Sequence, residues 1–485
     1  MTQTQRIIVI VLGVVSLLLI VVFGAVVLTT MSSLGERAAQ PAPPTSTPTL
    51  TPILTWTPTP TPSPTVPPTL APTSPPTLTP TPPFLSLAGD QRLDQIERQV
   101  AALRGLDSQR PVPRWAITTN DLRYYYIDPM LDEEWEDQLD SWTLALVAFD
   151  MLEPGVDLSP LVRYFVPESI AGFYDPETGE IYIVNNTGVL GESDYSVFAH
   201  EYGHALQDQH FDLSSLGFDE VSSSYGQLDR LNAARALIEG DAELLQAQYE
   251  RAYMGSYEDG RFLDVSGLNL WPAVWNPDGI ACSMQSPPID DVFLFPYIYG
   301  KIFVQELYDR GGWGAVNDAY ADPPLSTEQI LHPERYRADD EPIPVSIVSL
   351  SDTLGDDWRL VFEDPIGELM LRVYLQNQLS VDDAVRAARG WGGDLGVVYY
   401  NEDAYKLVMV LRSVWDTSAE AGEFLDAYIA YAARRYGHPA NETVGELSCW
   451  YGDDILCVTG GSGEVIVVLG PDQATVDAVF GAIFE

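Results

Sequence analysis

His200-Glu201-Tyr202-Gly203-His204 sets two imidazoles four residues apart with a glutamate beside the first. On a helix, residues four apart share one face, one turn above each other, so both imidazoles can hold a single tetrahedral zinc ion. The glutamate then reaches a water on that metal and can take its proton. With five histidines in 485 residues, such a pattern is expected by chance at roughly 0.005 per chain. The plainer alternative is a pair of helix histidines hydrogen-bonded in a core, with a surface glutamate between them.

A catalytic zinc site needs a third protein ligand and one open position. His210 stands ten positions after His200, the spacing of a metzincin. That pattern requires glycine where this chain has Gln207, because the helix must end there and turn the last histidine back to the metal. Glu239, in Leu237-Ile-Glu-Gly-Asp-Ala242, falls 35 residues beyond His204 on a second helical stretch. It would complete a His2Glu set and leave the fourth position to water or substrate. We therefore expect zinc on His200, His204 and Glu239 with Glu201 as catalytic base, and a site using His210 as the alternative. Asp241, or Glu243 one turn past Glu239, is the expected acceptor orienting a ligating imidazole. His210 otherwise reads as a helix-end or surface histidine, and His438, next to Pro439, as a cap or surface residue.

The elements that must position these groups are legible in the apolar spacing. It predicts helices near 194–209, 228–254 and 292–310, the second supported by its leucine and alanine content and lack of proline. Residues 173–184 read as two strands around Asp175-Pro-Glu-Thr-Gly179. Leu93, Ile96, Val100 and Leu103 mark a helix near the start of a folded region at 84–344. Past residue 345 strands at 397–400, 406–411 and 465–469 interleave with helices at 417–436 and 471–484, which reads as a separate C-terminal α+β domain over 345–485. The aromatic and aliphatic stripe at 295–307 has helical spacing and is expected to pack behind the site.

Residues 7–28 carry no charge and are long enough to cross a bilayer as a helix, with a cleaved signal peptide as the competing reading. Residues 1–6 then form a cytoplasmic tip, and an extracytoplasmic body follows. Residues 29–83 are expected to be a disordered stalk, since positions 41–83 hold 17 of the chain's 37 prolines and cannot build a core. The net charge of −45 would repel phosphate backbones and excludes nucleic acid as a natural partner, while favouring solubility and cationic substrates. Three cysteines are too few for a disulfide scaffold; Cys449 and Cys457, flanking a turn-forming Gly452-Asp453-Asp454, can close a hairpin in an oxidising compartment.

The H-E-x-x-H segment followed by Glu239-Gly-Asp-Ala242 resembles the gluzincin metallopeptidases. More narrowly, HEYGHALQDQHFD at 200–212, Glu239-Gly-Asp-Ala242 and STEQILHPERY at 326–336 resemble a group of bacterial membrane-anchored or secreted proteins of that type, with weaker likeness at Gly390-Trp-Gly-Gly-Asp394 and Trp415-Asp416. The resemblance implies an α+β fold with a mostly helical, thermolysin-like catalytic domain and a small edge-strand sheet. It implies a zinc-dependent hydrolase in which Glu201 takes the proton of the attacking water, a second donor helps hold the oxyanion, and the strand at 181–184 is the edge along which a peptide or protein substrate pairs. His332, between Leu331 and Pro333, is the expected second donor, with Tyr297, Tyr299 and Tyr336 as rivals. A surface-displayed binding or scaffold protein that keeps the fold without turnover is the reading from another class.

Overall fold

A computed structural model describes residues 84–484, apart from 153, 157, 165–166, 168–169, 217–226 and 256–289. The expected membrane helix at 7–28, the stalk at 29–83 and Cys282 lie outside the described residues. Among the described residues no helix is long and apolar enough to cross a membrane. The chain is α+β, helical around the H-E-x-x-H segment and built on a large sheet towards its C-terminal end.

Strand β1 (Leu85–Ser86) leads into helix α1 (Gln91–Arg104). Asp90 opens that helix by accepting the Arg92 and Leu93 N–H groups, and Gly105 closes it at φ 73°, a left-handed turn that glycine adopts without strain. Strand β2 (Arg114–Ile117), helix α2 (Glu133–Ala148), and strands β3 (Gly172–Asp175) and β4 (Glu180–Val184) follow. The four strands form one sheet in the order β1-β2-β4-β3. This corrects the expected edge at 181–184. Strand β4 is paired on both sides, parallel to β2 and antiparallel to β3, because the β2 segment, which carried no strand expectation, adds to its far side. The outer strands of the sheet are β3 and the two-residue β1.

The next helices are α3 (Glu192–Phe211), α4 (Leu228–Tyr253), α5 (Asp290–Ala321) and the short α6 (Thr327–Leu331). The third runs well past the expected 292–310 and breaks direction at Gly312, φ 63°. Helices α4 and α5 cross at glycines: a Cβ on Gly240 would stand 2.2 Å from the Gly300 carbonyl, and one on Gly300 would stand 2.1 Å from the Ala236 carbonyl oxygen. The crossing is therefore backbone against backbone, directly beside Glu239. A fully buried ion pair, Arg104 Nε to Asp241 Oδ1 at 2.8 Å, ties α1 to α4. Tyr320 Oη donates to the same carboxylate at 2.8 Å, and Trp313 covers the guanidinium at 4.3 Å.

Towards the C-terminal end come strand β5 (Trp358–Asp364), helix α7 (Gly367–Gln376), strands β6 (Trp391–Asn401) and β7 (Lys406–Trp415), helix α8 (Ser418–Tyr436), strands β8 (Glu442–Val444), β9 (Leu447–Tyr451), β10 (Ile455–Gly461) and β11 (Glu464–Gly470), and helix α9 (Gln473–Phe484). They make a seven-stranded antiparallel sheet in the order β5-β6-β7-β11-β10-β9-β8. Alternate residues face opposite sides. Val398, Met409 and Val467 pack with Phe424, Tyr428 and Tyr431 of α8, while Val397, Val408 and Val468 pack with Val476 and Val479 of α9. Cys449 and Cys457 face each other across β9 and β10 and form a disulfide.

The expected break at 345 is a change from helix to sheet rather than a gap between bodies, since the chain from Phe84 onward forms one compact unit. Ala145, Ala148 and Phe149 enter the core of the large sheet, and Leu369 of α7 enters the helical core with Leu231 and Ile330. At the joint, Asp364 Oδ1 accepts the N–H groups of Gln227 and Leu228 at 2.7 and 2.9 Å, so the end of β5 caps helix α4. Asp229 beside it accepts the Thr327 N–H and hydroxyl, and Asp394 accepts the Ile366 N–H and the Trp391 indole.

Asp229 sets a pH dependence. Its carboxyl is pushed up to about 7, chiefly by burial, with the Thr327 hydrogen bond opposing and Asp394 adding. The folded value lies above the unfolded one, so the stabilisation is full below the unfolded value of 3.8 and is lost as pH rises through the folded one. In urea unfolding, the parent should lose about 2–3 kcal/mol between pH 5 and pH 8 relative to Asp229→Asn, which cannot ionise. Equal pH slopes for the two proteins would show that Asp229 does not titrate in this range.

Candidate metal centre

The site is assembled from α3, which carries His200, Glu201 and His204, and α4, which carries Glu239. Gly203 lets the helices close up, since a Cβ there would come within 3.2 Å of Leu245. The two imidazole Nε2 atoms lie 3.1 Å apart, and Glu239 Oε2 lies 3.4 Å from that of His200 and 3.5 Å from that of His204. Zinc arms of about 2.0–2.1 Å in tetrahedral geometry put ligand atoms about 3.3–3.4 Å apart, so the triangle has the edges that a zinc ion would require.

Its chemistry fits the ion as well as its size does. Glu239 Oε2 is buried without a hydrogen-bond partner, and leaving a carboxylate oxygen so costs about 1–3 kcal/mol or more. These three residues are, among the described residues, the group whose ligand atoms converge closely enough to hold a metal ion. Burial opposes charge on His200, but the Glu239 carboxylate 3.4 Å away and the charges of Glu201 and Glu243 outweigh it and hold its pKa up at about 10. Burial pushes Glu239 the other way, yet the two imidazoles keep it well below the usual carboxylate range. The site thus concentrates negative charge around two nitrogen donors, and a cation entering it displaces protons.

Neither Asp241 nor Glu243 bonds a ligating ring as expected. Asp241 is taken by Arg104 and Tyr320, and Glu243 stands 4.0 Å from His200 Nδ1. The acceptors are carboxamides: Gln246 Oε1 at 3.1 Å from His200 Nδ1, and Gln207 Oε1 at 2.9 Å from His204 Nδ1. An amide oxygen only accepts, so each ring donates through Nδ1 and turns its Nε2 lone pair to the centre of the triangle. Gln207 is anchored by donating to Ile238 O at 3.1 Å, and Gln246 by donating to Ser196 Oγ at 2.8 Å. The 239, 243, 246 spacing along one helix face was the signal for Gln246. Replacing Gln246 with leucine should weaken zinc binding about tenfold to a hundredfold, read by competition with a chromophoric chelator; unchanged affinity would mean that the ring needs no such restraint.

His210 lies in the last turn of α3 and bonds the loop after α1, its Nε2 2.8 Å from Asp107 O and its Nδ1 3.3 Å from Gln109. The helix runs through Gln207 without the turn a third histidine would need. His438 is half-buried, with Nδ1 against Pro439 O. His332 is a correction: its Nε2 lies 3.1 Å from Glu368 and 3.3 Å from Arg372. Glu368 in turn acts on Asp229, at the opening turn of α4 and about 15 Å along the axis from Glu239. Tyr336 donates to Asp322 O, and Tyr299 packs on Phe295. Tyr297 stands closest to the triad in its electrostatics: burial and the charges of Glu239 and Glu201 push its hydroxyl above the ordinary range, with Arg235 opposing.

The outer strand β3 runs against α3, and a Cβ on Gly172 would meet Val197 at 2.7 Å. Val184 N donates to Ala171 O and Phe173 faces Tyr182, so residues 171, 173 and 175 bond inward and the backbone groups of Gly172 and Tyr174 point off the edge. The Tyr174 N–H meets the carboxylate of Glu201.

Over residues 358–480 the chain matches a family described as a domain of unknown function (DUF8575). That span covers the large sheet and leaves out every residue of the triad. No curated protein and no solved structure matches the chain.

Proposed function

We propose that this chain is a zinc-dependent peptidase of gluzincin type, with His200, His204 and Glu239 as ligands and Glu201 as the base. The observation that carries it is the triangle of 3.1, 3.4 and 3.5 Å around the unpartnered Glu239 oxygen. Zinc held there would acidify water and polarise the scissile carbonyl. Glu201 takes the proton of the attacking water and returns it to the leaving amine. Tyr297, in place of His332, donates to the oxygen of the tetrahedral species. The outward backbone groups of Gly172 and the outward carbonyl of Tyr174 pair with an extended peptide laid along β3. The apolar stretch at 7–28 and the proline-rich one at 41–83 support an enzyme held outside a membrane on a stalk.

Metal analysis and a peptide-library digest test the reading together. We expect one zinc per chain and cleavage that chelation abolishes and zinc restores. Zinc without cleavage would favour the binding or scaffold protein, and absence of zinc would remove the proposal altogether.

A further inference from the structure

Arg235 stands one turn before Glu239 on α4, so the two side chains leave the same face of the helix about 5–6 Å apart at Cβ. It is 5% exposed and Glu201 8%, so both side chains are buried. Its Nε has no hydrogen-bond partner, and among the described residues its guanidinium donates to the Tyr297 hydroxyl at 3.5 Å and stands 6.0 Å above the Tyr297 ring. No carboxylate among the described residues approaches it within ion-pair distance, in a chain with 70 acidic residues. The buried Arg104, by contrast, is matched by Asp241 in two hydrogen bonds. A buried cation left unpaired costs several kcal/mol, and the fold has no packing use for a charge there that leucine or methionine would not serve.

We propose that Arg235 is a specificity residue that takes a carboxylate of the substrate, one or two residues from the bond cleaved. The inference rests on the peptidase reading above and names its substrate class. Successive peptide residues advance about 3.3–3.6 Å, so a carboxylate at that remove falls within the span between the triad and a guanidinium one helical turn away. A guanidinium fork matches a carboxylate in two parallel hydrogen bonds. The carboxylate can be the chain terminus, which makes the enzyme an exopeptidase acting at the C-terminal end, or an aspartate or glutamate side chain, which makes it an acid-selective endopeptidase.

The test uses three peptides of one sequence: a neutral one with an amidated end, the same with a free C-terminal carboxylate, and the amidated one with glutamate near the scissile bond. The parent should cleave one of the two charged peptides about ten- to a hundredfold better in kcat/KM than the neutral one. Which one it prefers identifies the source of the carboxylate. Arg235→Gln should lose that preference, cleaving the charged peptides no better than the neutral one, while binding the same zinc; Arg235→Lys should keep part of it. Equal rates on all three peptides by the parent would overturn the role of Arg235 and leave the peptidase standing. An equal fall on all three in Arg235→Gln would also overturn it, since a residue acting on the scissile carbonyl or on folding does not discriminate. No Glu201-dependent cleavage of any peptide would sink both.

Discussion

Glu201→Gln should lower kcat/KM on any cleaved peptide by about a thousandfold, within the 10²–10⁴ range of a positioned acid–base group, while leaving one zinc per chain. Glutamine keeps the shape of the side chain and can still accept the Tyr174 N–H, but it cannot take a proton from water. Zinc should stay because Glu201 is not a corner of the triangle; the ligand atoms belong to His200, His204 and Glu239. The environment suits a proton carrier. Burial raises the Glu201 carboxyl, the two imidazoles and the Tyr174 N–H pull it down, and Glu239 pushes it up again. A residue so balanced can change protonation state during turnover at little cost. Side-by-side steady-state kinetics and metal analysis of parent and variant decide it. Retention of more than a tenth of the activity would remove Glu201 from the role of base, and loss of zinc would show that it holds the metal instead.

The triad was legible because its signals are local: four-residue spacing for the histidines, and helical spacing with glycine beside the acid for Glu239. Gly240 itself had no reason in sequence; its reason is Gly300, sixty positions away on another helix. The same limit explains the misplaced edge. A strand reveals itself by composition, but whether it lies inside a sheet depends on what joins its far side, and β2 comes from residues about 65 positions earlier. His332 was drawn to the metal by the absence of an apolar neighbourhood. Its use lies in Glu368 and Arg372, which belong to the helix after β5 and so to a region read as a separate domain. The motifs Gly390-Trp-Gly-Gly-Asp394 and Trp415-Asp416 belong to that same joint. Asp394 holds the start of α7 and the Trp391 indole, and Asp416 pairs with Arg335 at 2.5 Å. Residues carrying a resemblance far from the triad thus hold α7 and the segment around Arg335 to the large sheet.

Glu239→Ala should lose zinc where His210→Ala keeps it. Apparent zinc binding energies of about 10–16 kcal/mol for four-ligand sites amount to about 3 kcal/mol per ligand, so removing the carboxylate weakens binding by roughly a hundredfold. The variant should still fold. Glu239 makes no hydrogen bond through Oε2, while the position of α4 is set by the Arg104–Asp241 pair, the Gly240–Gly300 crossing and the Asp364 cap. At free zinc a hundred times the parent's Kd, the ion adds about 2.7 kcal/mol to the parent's unfolding free energy and about 0.4 kcal/mol to that of a variant binding a hundredfold more weakly. Chemical unfolding with and without zinc reads this difference directly, and chelator competition gives the affinities. If His210→Ala were the variant that lost both metal and zinc-linked stability, the third ligand would be on α3 and the helix would have to break at Gln207, against the hydrogen bond that Gln207 makes to His204.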